Sequence, residues 1–146
     1  MNMKVINNVK MSLPAKRGNE SFARASVAAF CASLSPTIEE INDIKTAVSE
    51  AVTNAIVHAY TDESKEILLD VVLYDDNVVD ITVTDEGKGL EDPIEARKPF
   101  FTTKPQEEHS GMGFTIMEAF MDTLEVTSVI GRGTTVKMRK QIGKNA

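Results

Sequence analysis

The stretch from Ser35 to about Ala59 most constrains what this chain can fold into. Ser35-Pro36 reads as a helix start, with serine as N-cap and proline in the first turn. Glu39 and Glu40 follow where the helix dipole favours negative charge. Beyond them Ile41, Ile44, Val48, Val52 and Ile56 recur at helical spacing. So long an amphipathic helix needs a surface to cover, and the flanking sequence offers a sheet. Val5 to Leu13 alternates loosely, and Ile67 to Tyr74 and Val78 to Thr84 are β-rich runs joined by the turn residues Asp75-Asp-Asn77. Leu124 to Ile130 and Thr134 to Arg139 form a second hairpin around Gly131-Arg-Gly133. An earlier helix starts at Asn19-Glu-Ser-Phe22, with Phe22, Ala25, Ala29 and Phe30 at helical spacing, and a later one covers Gly113 to Asp122. Leu90 to Ser110 offers no sheet, only an acidic helical stretch, Glu91 to Lys98, and a polar segment. The expected product is an α/β two-layer sandwich, one sheet with helices on one face.

Composition narrows the function classes. With 146 residues, 42% of them hydrophobic, the chain suits one soluble domain spanning 1–146. A net charge of −6 and scattered basic residues argue against direct binding to nucleic acid or an anionic membrane. The strongest apolar run, Val27 to Ala32, is too short to cross a bilayer, and the first residues lack the apolar centre of a signal peptide. Cys31, alone in an apolar stretch, reads as a buried structural thiol in a reducing, cytoplasmic setting.

Familiar nucleotide and hydrolase signatures are missing: no GxxxxGK[ST], no GxGxxG, no kinase HRD or DFG, no nucleophile elbow and no zinc spacing. Four other features remain. Glu50, Asn54 and His58 are four residues apart on the long helix, about 6 Å per step along its axis, and could place a proton acceptor beside a hard cation. Taken alone, they read better as a solvated helix face. Asp85-Glu-Gly-Lys-Gly89 ends a strand with a carboxylate able to accept from an exocyclic amine, and with glycines that admit a flat ring. A plain turn has the same look. Ser110-Gly-Met-Gly113 opens a helix and exposes backbone N–H groups suited to phosphate, or simply to a flexible cap. Gly131-Arg-Gly-Thr-Thr135 is a tight turn whose Thr134 could offer a hydroxyl to a ligand or water.

The order of these boxes carries more than any one of them. A helix with E…N, a strand with DxGxG, a loop, a GxG helix start and GTT together resemble the Bergerat ATP-binding fold of gyrase-type ATPases and histidine kinases. That resemblance implies a mixed, mainly antiparallel sheet. Asn19-Glu-Ser-Phe-Ala-Arg24, Val48-Ser-Glu-Ala-Val-Thr-Asn-Ala55, Pro99-Phe-Phe-Thr-Thr-Lys-Pro105 and Ser110-Gly-Met-Gly-Phe-Thr-Ile-Met117 are similar to the anti-sigma-F factors of spore-forming bacteria, serine kinases that inhibit a sigma factor. The match spans nearly the whole chain.

Carried over by position, the resemblance implies Glu50 as general base or orienting group for a substrate serine, and Asn54 as the magnesium ligand. Asp85 would bind the adenine amino group, Gly87 and Gly89 would shape the base pocket, and Thr134 would close its side. Thr102, Thr103 and Lys104 would belong to a phosphate lid, and Gly111, Met112 and Gly113 would donate backbone N–H groups to ATP or ADP. Arg24 matches a position that contacts partners, implied to be the sigma factor and the anti-anti-sigma substrate, with the protein acting as a homodimer. His109 stands where relatives place an arginine suited to the γ-phosphate, and Lys104 or Arg97 could compensate. His58-Ala-Tyr60 replaces the expected His-Gly-Tyr, with His58 read as capping the helix end. Two other readings stay open: an anti-sigma kinase of the stress-response branch, and a non-catalytic module that uses ATP only to shape a partner surface.

Overall fold

The computed structural model describes residues 3–59, 65–87 and 113–143. In chain order these form β1 (Val5–Pro14), α1 (Asn19–Cys31), a 3-10 turn (Ala32–Leu34), α2 (Ile38–Asn54), a π-helical segment (Ala55–Ala59), β2 (Glu66–Tyr74), β3 (Val78–Asp85), α3 (Gly113–Phe120), β4 (Thr123–Val129) and β5 (Gly133–Gln141). The strands make one sheet in the order β1-β2-β3-β5-β4, antiparallel at every described pair. The last strand is therefore internal, which brings the end of the chain against β3.

Alternation explains which face is covered. Ile67, Leu69, Val71 and Leu73 of β2, Val79, Ile81 and Val83 of β3, and Val136 and Met138 of β5 are buried together with Ile44, Val48 and Val52 of α2 and Met117 of α3. Each such aliphatic side chain contributes about 1.5–3 kcal/mol on leaving water. The other face carries Asp80 of β3, held by Arg139 directly opposite on β5: Nε donates to Oδ1 at 2.6 Å and Nη2 to Oδ2 at 2.8 Å. Burial pushes the Asp80 carboxyl up, but the hydrogen bonds and charge of Arg139 outweigh it and hold the group below the ordinary aspartate value.

Two local expectations need correction. The N-cap of α2 is Thr37, not Ser35. Thr37 is extended, its Oγ1 accepts from the Glu40 N–H at 3.1 Å, and Glu40 Oε1 accepts from the Thr37 N–H at 2.9 Å. This reciprocal pair satisfies two donors at once, whereas Ser35 is left-handed (φ 54°) at the end of the 3-10 turn and Pro36 lies before the helix. On α1 the buried stripe is Ala23, Val27 and Cys31, while Phe22 is 58% exposed and Ala25 and Ala29 also face outward. The helical period was legible there; the face was not. The long helix reaches Ala59 as expected, with α geometry to Asn54 and a π segment over Ala55–Ala59. Cys31 is fully buried and its thiol is pushed up to about 12 by burial, as an inert core thiol requires.

Candidate functional site

Two places where side chains could not be larger mark the site. A Cβ on Gly113 would come within 2.9 Å of Asn54 Nδ2 and 3.0 Å of Oδ1. The first residue of α3 therefore sets its bare backbone on the Asn54 carboxamide, at the last α-helical residue of α2. A helix start exposes unpaired N–H groups at the positive end of its dipole. The arrangement puts a carboxamide oxygen, a donor type that hard cations accept, beside the positive end of a helix. Glu50, half-buried, sits one turn back along α2 on the same face.

The second place is the turn between β4 and β5. Gly133 has φ 124°, open to glycine, and a Cβ there would strike the Asp85 carbonyl oxygen and lie 2.8 Å from Glu86 Cα. That close approach seats β5 against the end of β3. The Gly87 N–H donates to Asp85 Oδ1 at 2.9 Å, and the Thr134 N–H donates to the same oxygen at 3.3 Å. Asp85 is 7% exposed, and burial raises its carboxyl above the ordinary aspartate value, an effect the two N–H donors only reduce. A buried carboxylate anchored through one oxygen can direct the other at an amine.

Thr134 lies opposite Asp85 on one side and Ser128 of β4 on the other, so the three share a row on the helix-facing side of the sheet. Thr134 Oγ1 and Ser128 Oγ are 2.9 Å apart, and Ser128 Oγ donates to the Gly133 carbonyl at 3.1 Å. The π segment packs on β3 and β5, the strands carrying Asp85 and Thr134, and so joins the two halves of the site. π turns often occur at functional sites. The His58 side chain lies outside the described residues.

The structure thus brings Asn54 to Gly113, and Asp85 to Gly87 and Thr134. Gly89, Arg97, Thr102, Thr103, Lys104, His109, Gly111 and Met112 lie outside the described residues, as does the acidic stretch Glu91 to Lys98. Arg24 is half-buried on α1, its Nη1 3.4 Å from the Ser49 hydroxyl, next to Glu50 on α2. Sequence reasoning gave no role to Gly133, Ser128 or Ser49. Gly133 had a signal, the second glycine of a turn ahead of two threonines; the two serines had none.

The residues fit the groups the resemblance implies. Among the described residues no cluster of three or more His, Cys, Asp or Glu could hold a metal. Magnesium suits the site nonetheless, since it is commonly held by one or two protein oxygens together with substrate phosphates. The two glycines let α3 pack on the Asn54 carboxamide and β5 on the Asp85–Glu86 backbone, where a Cβ would intrude. No helix among the described residues is long and apolar enough to cross a membrane.

Comparison with known proteins gives the family and the fold. Residues 13–140 match the family model described as the histidine kinase-like ATPase domain. The chain is 53% identical over 139 residues to the anti-sigma F factor of Geobacillus kaustophilus, covering 95% of each chain. It is 54% identical over 143 residues to that of Caldanaerobacter subterraneus, covering 98% of this chain and 99% of the relative. It is also 54% identical over 137 residues to that of Clostridium perfringens, covering 93% and 97%. In fold it is similar to the RsbU and RsbW domains of a Mycobacterium tuberculosis protein, with TM-score 0.69 and 21% identity over 93% of this chain and 32% of that one. A histidine kinase domain from Erythrobacter litoralis aligns with TM-score 0.56 and 19% identity, covering 90% of this chain and 62% of that one. The chain belongs to the histidine kinase-like ATPase domain family, on the branch of the anti-sigma F factors.

Proposed function

We propose that the chain is an ATP-dependent protein serine kinase and anti-sigma factor, which holds the sporulation sigma factor F inactive and phosphorylates a serine of its anti-anti-sigma antagonist. The observation that carries the reading is the packing of Gly113 on the Asn54 carboxamide one turn from Glu50, with the Asp85–Thr134 pair on the adjoining strands. Relatives named anti-sigma F factor over nearly the whole chain support the choice of branch.

In this reading Asp85 accepts a hydrogen from the adenine amino group, with Gly87 and Gly89 beneath the ring and Thr134 at its edge. The N–H groups of Gly111, Met112 and Gly113 cradle the phosphates, and Thr102, Thr103, Lys104 and His109 lie over them. Magnesium, when bound at Asn54, neutralises phosphate charge. Glu50 orients the substrate serine and takes its proton as the serine oxygen bonds to the γ-phosphorus and the bond to ADP breaks. Such transfers depend mainly on position and charge, which a few fixed groups supply. We further place the protein in the cytoplasm as one kinase domain and homodimer, with Arg24 on the partner-facing side.

Incubation with γ-labelled ATP, magnesium and a candidate anti-anti-sigma protein tests the reading. Acid-stable label on a serine of the antagonist is expected. Tight ATP binding with no transfer would instead identify a non-catalytic module, and acid-labile self-labelling would point to histidine kinase chemistry.

A further inference from the structure

The buried row of β5 runs Thr134, Val136, Met138 and Lys140, every second residue along the strand. An ammonium is out of place in such a row, since taking it out of water is costly unless it is paired. Lys140 is paired on both sides. Its Nζ donates to the Phe120 carbonyl at 2.7 Å and lies 3.6 Å from Asp43 Oδ2. Phe120 is the last residue of α3, and Asp43 lies in the second turn of α2. One side chain therefore joins the far end of α3 to α2. The end of its own strand is fixed on α2 as well, because the Gly143 N–H donates to Glu40 Oε2 at 2.8 Å.

The other end of α3 meets the same helix again, where Gly113 rests on the Asn54 carboxamide. These two polar contacts stand about 16 Å apart along α2. They hold opposite ends of a helix of eight residues. So short a helix moves as a unit, and releasing one end lets the other slide or tilt. Little slack exists at Gly113, where even a Cβ would lie 2.9 Å from Asn54 Nδ2. The Asp122 N–H, which donates to the Arg139 carbonyl at 2.8 Å, ties the exit of α3 to β5 and not to α2.

We propose that Lys140 is a remote positioning residue for the phosphate half of the site. By holding α3 to α2 at the far end, it sets where the Gly113 backbone sits against Asn54. The proposal rests on the nucleotide reading above. Lys140 touches no ligand in this scheme, for it lies about 20 Å along the strand from Thr134. The base half does not depend on it. Asp85 and Thr134 are joined across β3 and β5 by their own hydrogen bond, without α3. Displacements of about 1 Å at groups that hold a reacting phosphate are enough to be felt.

The test compares affinities of the full chain for adenosine, which probes the base half alone, and for magnesium–ATP. Both are measured well below the onset of unfolding, on wild type, Lys140→Met and Asp43→Ala. Lys140→Met should weaken magnesium–ATP about fivefold, one hydrogen bond's worth, and leave adenosine unchanged. A chain that is merely less stable would lose both ligands in parallel through its folded fraction. Asp43→Ala cuts only the link to α2, and serves if Lys140→Met does not fold. It should shift the ratio in the same direction by a smaller factor. Parallel losses, or a wild-type ratio in either variant, would overturn the proposal and leave the nucleotide site standing. Wild-type protein that fails to bind magnesium–ATP would overturn both.

Discussion

Two N–H groups hold one oxygen of the Asp85 carboxylate, yet burial still lifts its pKa above the ordinary aspartate value. Folding thus disfavours the ionised form, and the residue's contribution to stability improves as pH falls through the raised value. Binding an amine needs the opposite state. Nucleotide affinity should therefore decline as the solution is acidified through that raised pKa, approaching about tenfold per pH unit below it. Calorimetric or fluorescence titration with ADP across mildly acidic pH checks this, with Asp85→Asn as a variant whose profile should be flatter. An affinity independent of pH in wild type would remove Asp85 from the base contact. At this scale the residue types were legible and their partners were not. Asp85 was singled out by its place in the ordered set of boxes, since a carboxylate before two glycines at a strand end looks by itself like a plain turn. That its oxygen meets Thr134, 49 positions later, depends on the β3–β5 register, which no local pattern encodes.

Helix α3 shows how elements aim the site. Its first residue rests on Asn54, and its last turn is tied to β5. Lys140 Nζ donates to the Phe120 carbonyl at 2.7 Å and lies 3.6 Å from Asp43 of α2; the Asp122 N–H donates to the Arg139 carbonyl at 2.8 Å, and Asp122 Oδ2 accepts from the Gln141 N–H at 2.8 Å. A cation at a helix C-terminus satisfies orphan carbonyls and complements the dipole. Lys140→Met keeps the apolar stem and removes the charge. It should lower stability by about 1–3 kcal/mol, read as a smaller urea midpoint at unchanged m-value. An unaltered midpoint would show that the tie is incidental. The ends of α2 mark the limit of sequence reading for elements. Thr37 and Glu40 form a capping box three residues apart, a signal present in the sequence but overshadowed by Ser35-Pro36. The π segment after Asn54 has no comparable signature, since Ala55 to Ala59 suit an α-helix equally well.

Across the whole molecule, the hairpins and the helix-covered face followed from turn residues and alternation. Asn77, at φ 62°, sits in the turn the sequence marked. Strand order did not follow, because the insertion of β5 between β3 and β4 is a non-local choice. That insertion sets Thr134 beside Asp85, while α2 brings Asn54 to the first residue of α3. On the opposite face, the Asp80 and Arg139 pair stabilises the same two strands, and its contribution is lost as pH falls through the depressed Asp80 value. Acid should thus loosen the β3–β5 seam that carries the site. The central claim is that these elements assemble one pocket in which Glu50 serves phosphoryl transfer and not nucleotide binding. Single-turnover transfer from magnesium–ATP to the antagonist's serine, measured on Glu50→Gln together with its ATP affinity, tests it most directly. The expected result is near wild-type ATP affinity with transfer slowed by about 10²–10⁴-fold; transfer at the wild-type rate would contradict it.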